Sequence, residues 1–80
     1  MRLPRDVSGA DLARRLSRIG YRVTRQTGSH IRLTIDAPVQ HHVTVPKHDA
    51  LRLGTLSSIL EDVAAHLEIT RDDIIARLFN

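Results

Sequence analysis

The apolar residues of this chain change period twice, and that change most narrows the folds open to it. Leu12, Ala13, Leu16 and Ile19 recur at helical spacing, whereas Tyr21, Val23, Ile31, Leu33, Ile35, Val43 and Val45 alternate with polar neighbours. Leu56, Ile59, Leu60, Val63 and Leu67 then return to the stripe of an amphipathic helix. A helical period gives way to a strand period and comes back, so the chain reads as helix, strands, helix.

Local punctuation sets the boundaries. Ser8, three residues before Asp11, reads as a helix N-cap, and Gly20 supplies a stop, which predicts a helix over 9–19. Tyr21 to Gln26 and Ile31 to Ile35 read as strands, with a hairpin at Thr27-Gly28-Ser29. Asp36-Ala37-Pro38 ends the second strand, and a third runs from Gln40 to Val45, stopped by Pro46. A loop over 47–53 leads to a helix over about 55–67, and Thr70 with Asp73 caps a short last helix over 71–78.

The expected class is α+β, an α-β-β-β-α order with a three-stranded antiparallel sheet, helices on one face and a short C-terminal helix. Alternation turns Tyr21, Val23, Ile31, Leu33, Ile35, Val43 and Val45 to the helices. It turns Arg22, Thr24, His30, Arg32, Thr34, His42 and Thr44 outward to solvent. A bulge would shift this register, and Gly28 is a plausible site for one. Eighty residues, 41% of them apolar, suit a single domain over 1–80. A domain of this size buries only roughly 60% of its unfolded surface, so its stability margin is thin. Without cysteine there is no disulfide, no Cys-based zinc site and no thiol nucleophile. No run reaches the ~18 apolar residues of a membrane span, and the opening residues lack the apolar core of a signal peptide, so a cytoplasmic location is expected.

Charge is divided unevenly. Residues 1–35 hold eight arginines against Asp6 and Asp11, a balance of +6, while residues 36–80 carry −3. A net charge of +3 therefore hides a basic N-terminal half, which points to a polyanionic partner, either nucleic acid or an acidic protein. Arginine suits phosphate better than lysine does, although an arginine-rich genome explains the same bias. One tyrosine and one phenylalanine cannot build the stacking platform of RNA-recognition sheets or OB-folds. Arg14, Arg15 and Arg18 line the polar side of the first helix, either as a binding face or as a solvated one with an Asp11–Arg15 pair.

The chain has no nucleophile elbow, no phosphate loop, no zinc helix and no carboxylate pair suited to glycoside chemistry. Of its histidines, His66 reads as structural near a helix C-terminus. His41 and His42, adjacent in a strand, point to opposite faces and cannot chelate one metal. A site from His30, His42 and His48 has no supporting ligand spacing, so no metal and no cofactor is expected. His30 is the most informative, because it follows Gly28-Ser29 at the hairpin and leads into a strand near Arg25 and Arg32. An exposed imidazole exchanges protons near neutrality, and RNA brings its own nucleophile, the 2′-hydroxyl. An RNA-cleaving site then needs only a proton shuttle and cationic support for the transition state. The plain alternative is an exposed turn histidine with no role.

Four segments together resemble the HicA family of bacterial toxins, also called YcfA-like proteins. They are Ser8-Gly9 with Leu16 and Gly20-Tyr21; Arg25-Gln26-Thr27-Gly28-Ser29-His30; Val43-Thr44-Val45-Pro46-Lys47-His48; and Gly54-Thr55-Leu56 with Ile59-Leu60. The resemblance covers about residues 7–67. It implies a fold like the double-stranded-RNA-binding domain and a toxin that cleaves mRNA, with the histidine of Gly-Ser-His, here His30, as the catalytic residue. Gly28 and Ser29 would shape the turn that presents it. It also implies an acidic HicB-type antitoxin that covers the active site. Many members carry an aromatic residue just after Gly-Ser-His, where this chain has Ile31-Arg32-Leu33, and family lysines are largely arginines here.

The reading is a metal-independent endoribonuclease acting on mRNA. His30 is the general acid or base, and Arg25, Arg32 and Lys47 position phosphate. His48 either assists from its loop or fixes that loop through a backbone carbonyl. The alternatives are a non-catalytic RNA-binding module of the same fold and an adaptor whose basic face meets only an acidic protein.

Overall fold

The computed structural model describes residues 2–80. Helix α1 (Gly9–Ser17) is followed by strands β1 (Arg22–Gln26), β2 (His30–Ile35) and β3 (His41–Pro46), then by helices α2 (Leu53–Leu67) and α3 (Arg71–Phe79). The strands form one open antiparallel sheet in the order β1-β2-β3, an α+β fold of the expected α-β-β-β-α type.

Local chemistry explains the ends of these elements. The Ser8 hydroxyl accepts the Asp11 N–H at 2.9 Å and the Thr70 hydroxyl accepts the Asp73 N–H at 3.1 Å. Each such cap contributes about 1 kcal/mol. Helix α1 stops two residues short of the expected end, because the Arg18, Ile19 and Gly20 amides turn back three residues instead of four. Gly20 then takes φ 112°, a backbone region that favours glycine. Helix α2 begins two residues early, at Leu53, with no side-chain cap on Arg52.

The core lies between the sheet and the helices. Leu12 and Leu16 of α1, Leu33 and Val45 of the sheet, Leu60 and Val63 of α2 and Ile74 of α3 are all sealed from solvent. Arg15 ties the two ends of the chain together. Its guanidinium donates to Asp11 and to the Leu78 carbonyl at 2.6 Å, and it sits 4.7 Å from the Phe79 ring centre. The hydrogen bond to Asp11, helped by the Arg14 charge, holds the Asp11 carboxyl below the usual range. The basic face of α1 is thus partly spent inside the molecule, with Arg14 also paired to Asp11.

Three readings of the strands are corrected. The extra residue is Thr24, not Gly28: Val23 opposes Leu33 and Arg25 opposes Arg32, so one residue bulges out of β1. Val23 does not join the core. It lies on the edge strand, beyond the cover of the helices, and is 48% exposed. Thr34 faces outward as expected but does not meet solvent, at 2% exposure, because neighbouring polar side chains close over it. Among the described residues no helix is long and apolar enough to cross a membrane.

Candidate functional site

The site assembles from three segments distant in sequence. The Thr27 hydroxyl accepts the N–H groups of Ser29 and His30, and the Thr27 N–H donates to the His30 carbonyl at 2.9 Å, which closes the hairpin turn. The Lys47 N–H donates to the Ser29 carbonyl at 2.8 Å, and His30 pairs with Pro46 across β2 and β3. The Gly9 N–H, at the start of α1, donates to the His48 carbonyl at 2.9 Å. Gly-Ser-His, Pro-Lys-His and the N-terminus of α1 therefore form one continuous corner. A Cβ on Gly9 would lie 2.0 Å from the Pro46 carbonyl oxygen, so only glycine permits this approach.

His30 opens β2 and is exposed. Its Nδ1 lies 3.0 Å from the Ser29 hydroxyl, and its Nε2 makes no hydrogen bond among the described residues. Ser29 Oγ thus occupies Nδ1, and Nε2 is the ring nitrogen left open to a substrate. That is the property a proton shuttle requires.

Gly28 has no positive φ, and a Cβ there would meet nothing within 4 Å. The turn does not need glycine; what glycine leaves here is open space beside His30. The His48 carbonyl holds the loop to α1, while its imidazole is exposed and unbonded among the described residues. Lys47 is also exposed.

Arg25 and Arg32 face each other across β1 and β2, and both line an open depression of about 280 Å³ on the sheet's outer face. Simple alternation turns Arg25 toward the helices; the Thr24 bulge turns it out beside Arg32. Sequence reasoning missed Arg22 and His42 as neighbours of this cluster, although their outward parity was the available signal. A larger hollow of about 420 Å³, lined by Arg2, Leu3, Arg5, Leu53 and Arg71, shares no residue with the His30 corner.

A family model described as the HicA toxin of bacterial toxin–antitoxin systems matches residues 9–64. The match covers more than half of the 80 residues and includes all three segments of the corner from Gly9 onward. Searches of curated proteins and of solved structures returned no match.

Proposed function

Since the chain belongs to the HicA toxin family of bacterial toxin–antitoxin systems, we propose that it is an endoribonuclease toxin that cleaves mRNA through His30, without a metal, and is neutralised by an acidic HicB-type antitoxin. The observation that carries this reading is the state of His30: exposed, with one ring nitrogen steadied by Ser29 and the other open.

The 2′-hydroxyl of RNA attacks the adjacent phosphorus and the 5′-oxygen leaves. Nε2 of His30 takes the proton of the attacking hydroxyl or returns one to the leaving oxygen. A single positioned group of this kind supplies about 10²–10⁴-fold. Lys47, in the same corner, supplies positive charge for the phosphorane-like transition state, and Arg25 and Arg32 position RNA phosphate from the adjoining sheet face. Gly28 lets the sugar–phosphate backbone come close, and the His48 imidazole stands in the adjoining loop as a second proton-transfer group. The antitoxin's acidic surface would cover the same corner.

The test is wild type and His30→Ala incubated with a long single-stranded RNA in EDTA, with folding of both checked by circular dichroism. The reading expects cleavage by wild type and none by the folded variant. Equal cleavage by both would remove His30 from the chemistry, and a wild type that binds without cutting would favour a non-catalytic RNA-binding module.

A further inference from the structure

The outer face of the sheet carries a second built feature beside the strand that His30 opens. Three arginines line the depression, Arg22 and Arg25 of β1 and Arg32 of β2. One of them is paired: the Asp36 carboxylate accepts from Arg22 at 2.7 Å and from Gln40 at 3.4 Å. Beneath the arginines a chain of hydrogen bonds crosses all three strands. Thr24 Oγ1 lies 2.8 Å from Thr34 Oγ1, which lies 2.7 Å from His42 Nδ1.

The chain fixes the orientation of His42, whose ring is held by its Nδ1 edge against the buried Thr34 hydroxyl. Thr24 Oγ1 also lies 3.5 Å from the Arg32 carbonyl, so the chain is tied to the backbone of β2. The His42 imidazole is thus positioned in a cluster already rich in cationic donors.

No aliphatic side chain and no Phe, Tyr or Trp lines this depression. A protein partner draws most of its affinity from such anchors, whereas a phosphodiester needs charge and donors. Position points the same way. His30, Arg32 and Thr34 are alternate residues of one strand, share its outer face, and follow one another at about 6.7 Å. That is the order of the spacing between phosphates along an extended single strand.

We propose that the depression is a second phosphate subsite, holding the phosphodiester one or two nucleotides from the scissile bond of single-stranded RNA. Arg22, Thr34 and His42 thereby join Arg25 and Arg32 in holding the substrate. The proposal rests on the reading of His30 as the cleavage residue, which places the scissile phosphate at the other end of the same face.

The test uses Arg22→Gln, His42→Gln, their double variant, and Thr34→Val, which removes the hydroxyl while keeping the side chain's shape. Binding of a 2′-O-methyl single-stranded oligonucleotide, which lacks the attacking hydroxyl, is measured against salt. Cleavage is compared on an RNA dinucleotide and on a longer oligonucleotide. The double variant should bind the long probe roughly tenfold more weakly, and its log–log salt slope should be shallower by about 0.7 for each phosphate that is no longer neutralised. Thr34→Val should move binding in the same direction by a smaller factor, with cleavage of the dinucleotide unchanged in all four.

Wild-type binding by the double variant overturns the subsite, as does an equal loss on dinucleotide and long substrate. So does a loss confined to binding of poly-glutamate, which would make the face a protein-binding surface. A wild type that binds the probe but cuts no RNA refutes the cleavage reading alone, and the same binding curves still decide the subsite. A wild type that does not bind the probe refutes both.

Discussion

Each end of the sheet holds a histidine that opens a strand, and the two are treated in opposite ways. His30 opens β2 beside the hairpin turn and spends one ring nitrogen on the hydroxyl next to it. His41 opens β3 at the far end, opposite Ile35, and spends both. Its Nδ1 meets the Tyr21 hydroxyl at 2.8 Å and its Nε2 meets Asp62 at 3.1 Å. Its ring stacks on that of His66 at 4.4 Å, and His66 in turn reaches the Ala37 carbonyl. The same side chain is a clamp where β1, β3 and α2 meet and an exposed ring with one open nitrogen where the sheet ends in solvent. Neighbours, not residue type, decide which imidazole is available for chemistry.

The two ends should respond differently to substitution. Gly9→Ala should do the most damage, at the His30 end. Alanine is favoured over glycine in a helix by about 1 kcal/mol, but a backbone oxygen at 2.0 Å cannot yield as a side chain would. We expect a net loss of about 2–3 kcal/mol in chemical denaturation, with a fall in RNA cleavage as Pro46 moves away from His30. His41→Ala should cost about 2 kcal/mol, because it leaves the buried Tyr21 hydroxyl without its partner. Cleavage per folded molecule should stay at the wild-type level.

Tyr21 gives the clamp a pH signature. Burial, helped by the Asp62 charge, pushes its phenol up to about 12 from an ordinary value of 10.0. Between those values the native state holds a proton that the unfolded chain has lost, so stability falls as pH rises through that window. The loss should approach roughly 2 kcal/mol and vanish in Tyr21→Phe. Tyr21 is the single tyrosine, so ultraviolet titration of the phenol reads it directly. Asp62→Asn should cost less than about 1 kcal/mol, since the Asp62 carboxylate is largely exposed. Gly28→Ala should leave the unfolding midpoint unchanged, because the added methyl group meets nothing, yet lower cleavage several-fold by crowding RNA. Wild-type cleavage by Gly28→Ala would remove that glycine from the substrate path.

How far the sequence could be read follows the range of each interaction. The Ser8 and Thr70 caps were legible because a hydroxyl bonding an amide three residues on is a local event. The turn at Thr27-Gly28-Ser29 and the exposure of His30 were legible for the same reason. The faces of Val23 and Arg25 were not, because the Thr24 bulge is a property of how β1 pairs with β2. The clamp role of His41 was hidden too, since its partners Tyr21 and Asp62 lie 20 and 21 residues away. Nor could Arg15 announce that it would reach Leu78, 63 residues on. At the His30 corner the motifs themselves marked what belonged together, and the Lys47–Ser29 and Gly9–His48 backbone bonds supply the physical reason.

The most direct measurement crosses the two histidines. His30→Ala and His41→Ala are each assayed for cleavage of one long single-stranded RNA in EDTA, per folded molecule, alongside their unfolding midpoints. We expect a stable and inactive His30→Ala beside a less stable His41→Ala that cuts at the wild-type rate. A His30→Ala that cuts like wild type, or a folded His41→Ala that does not cut, would contradict this expectation.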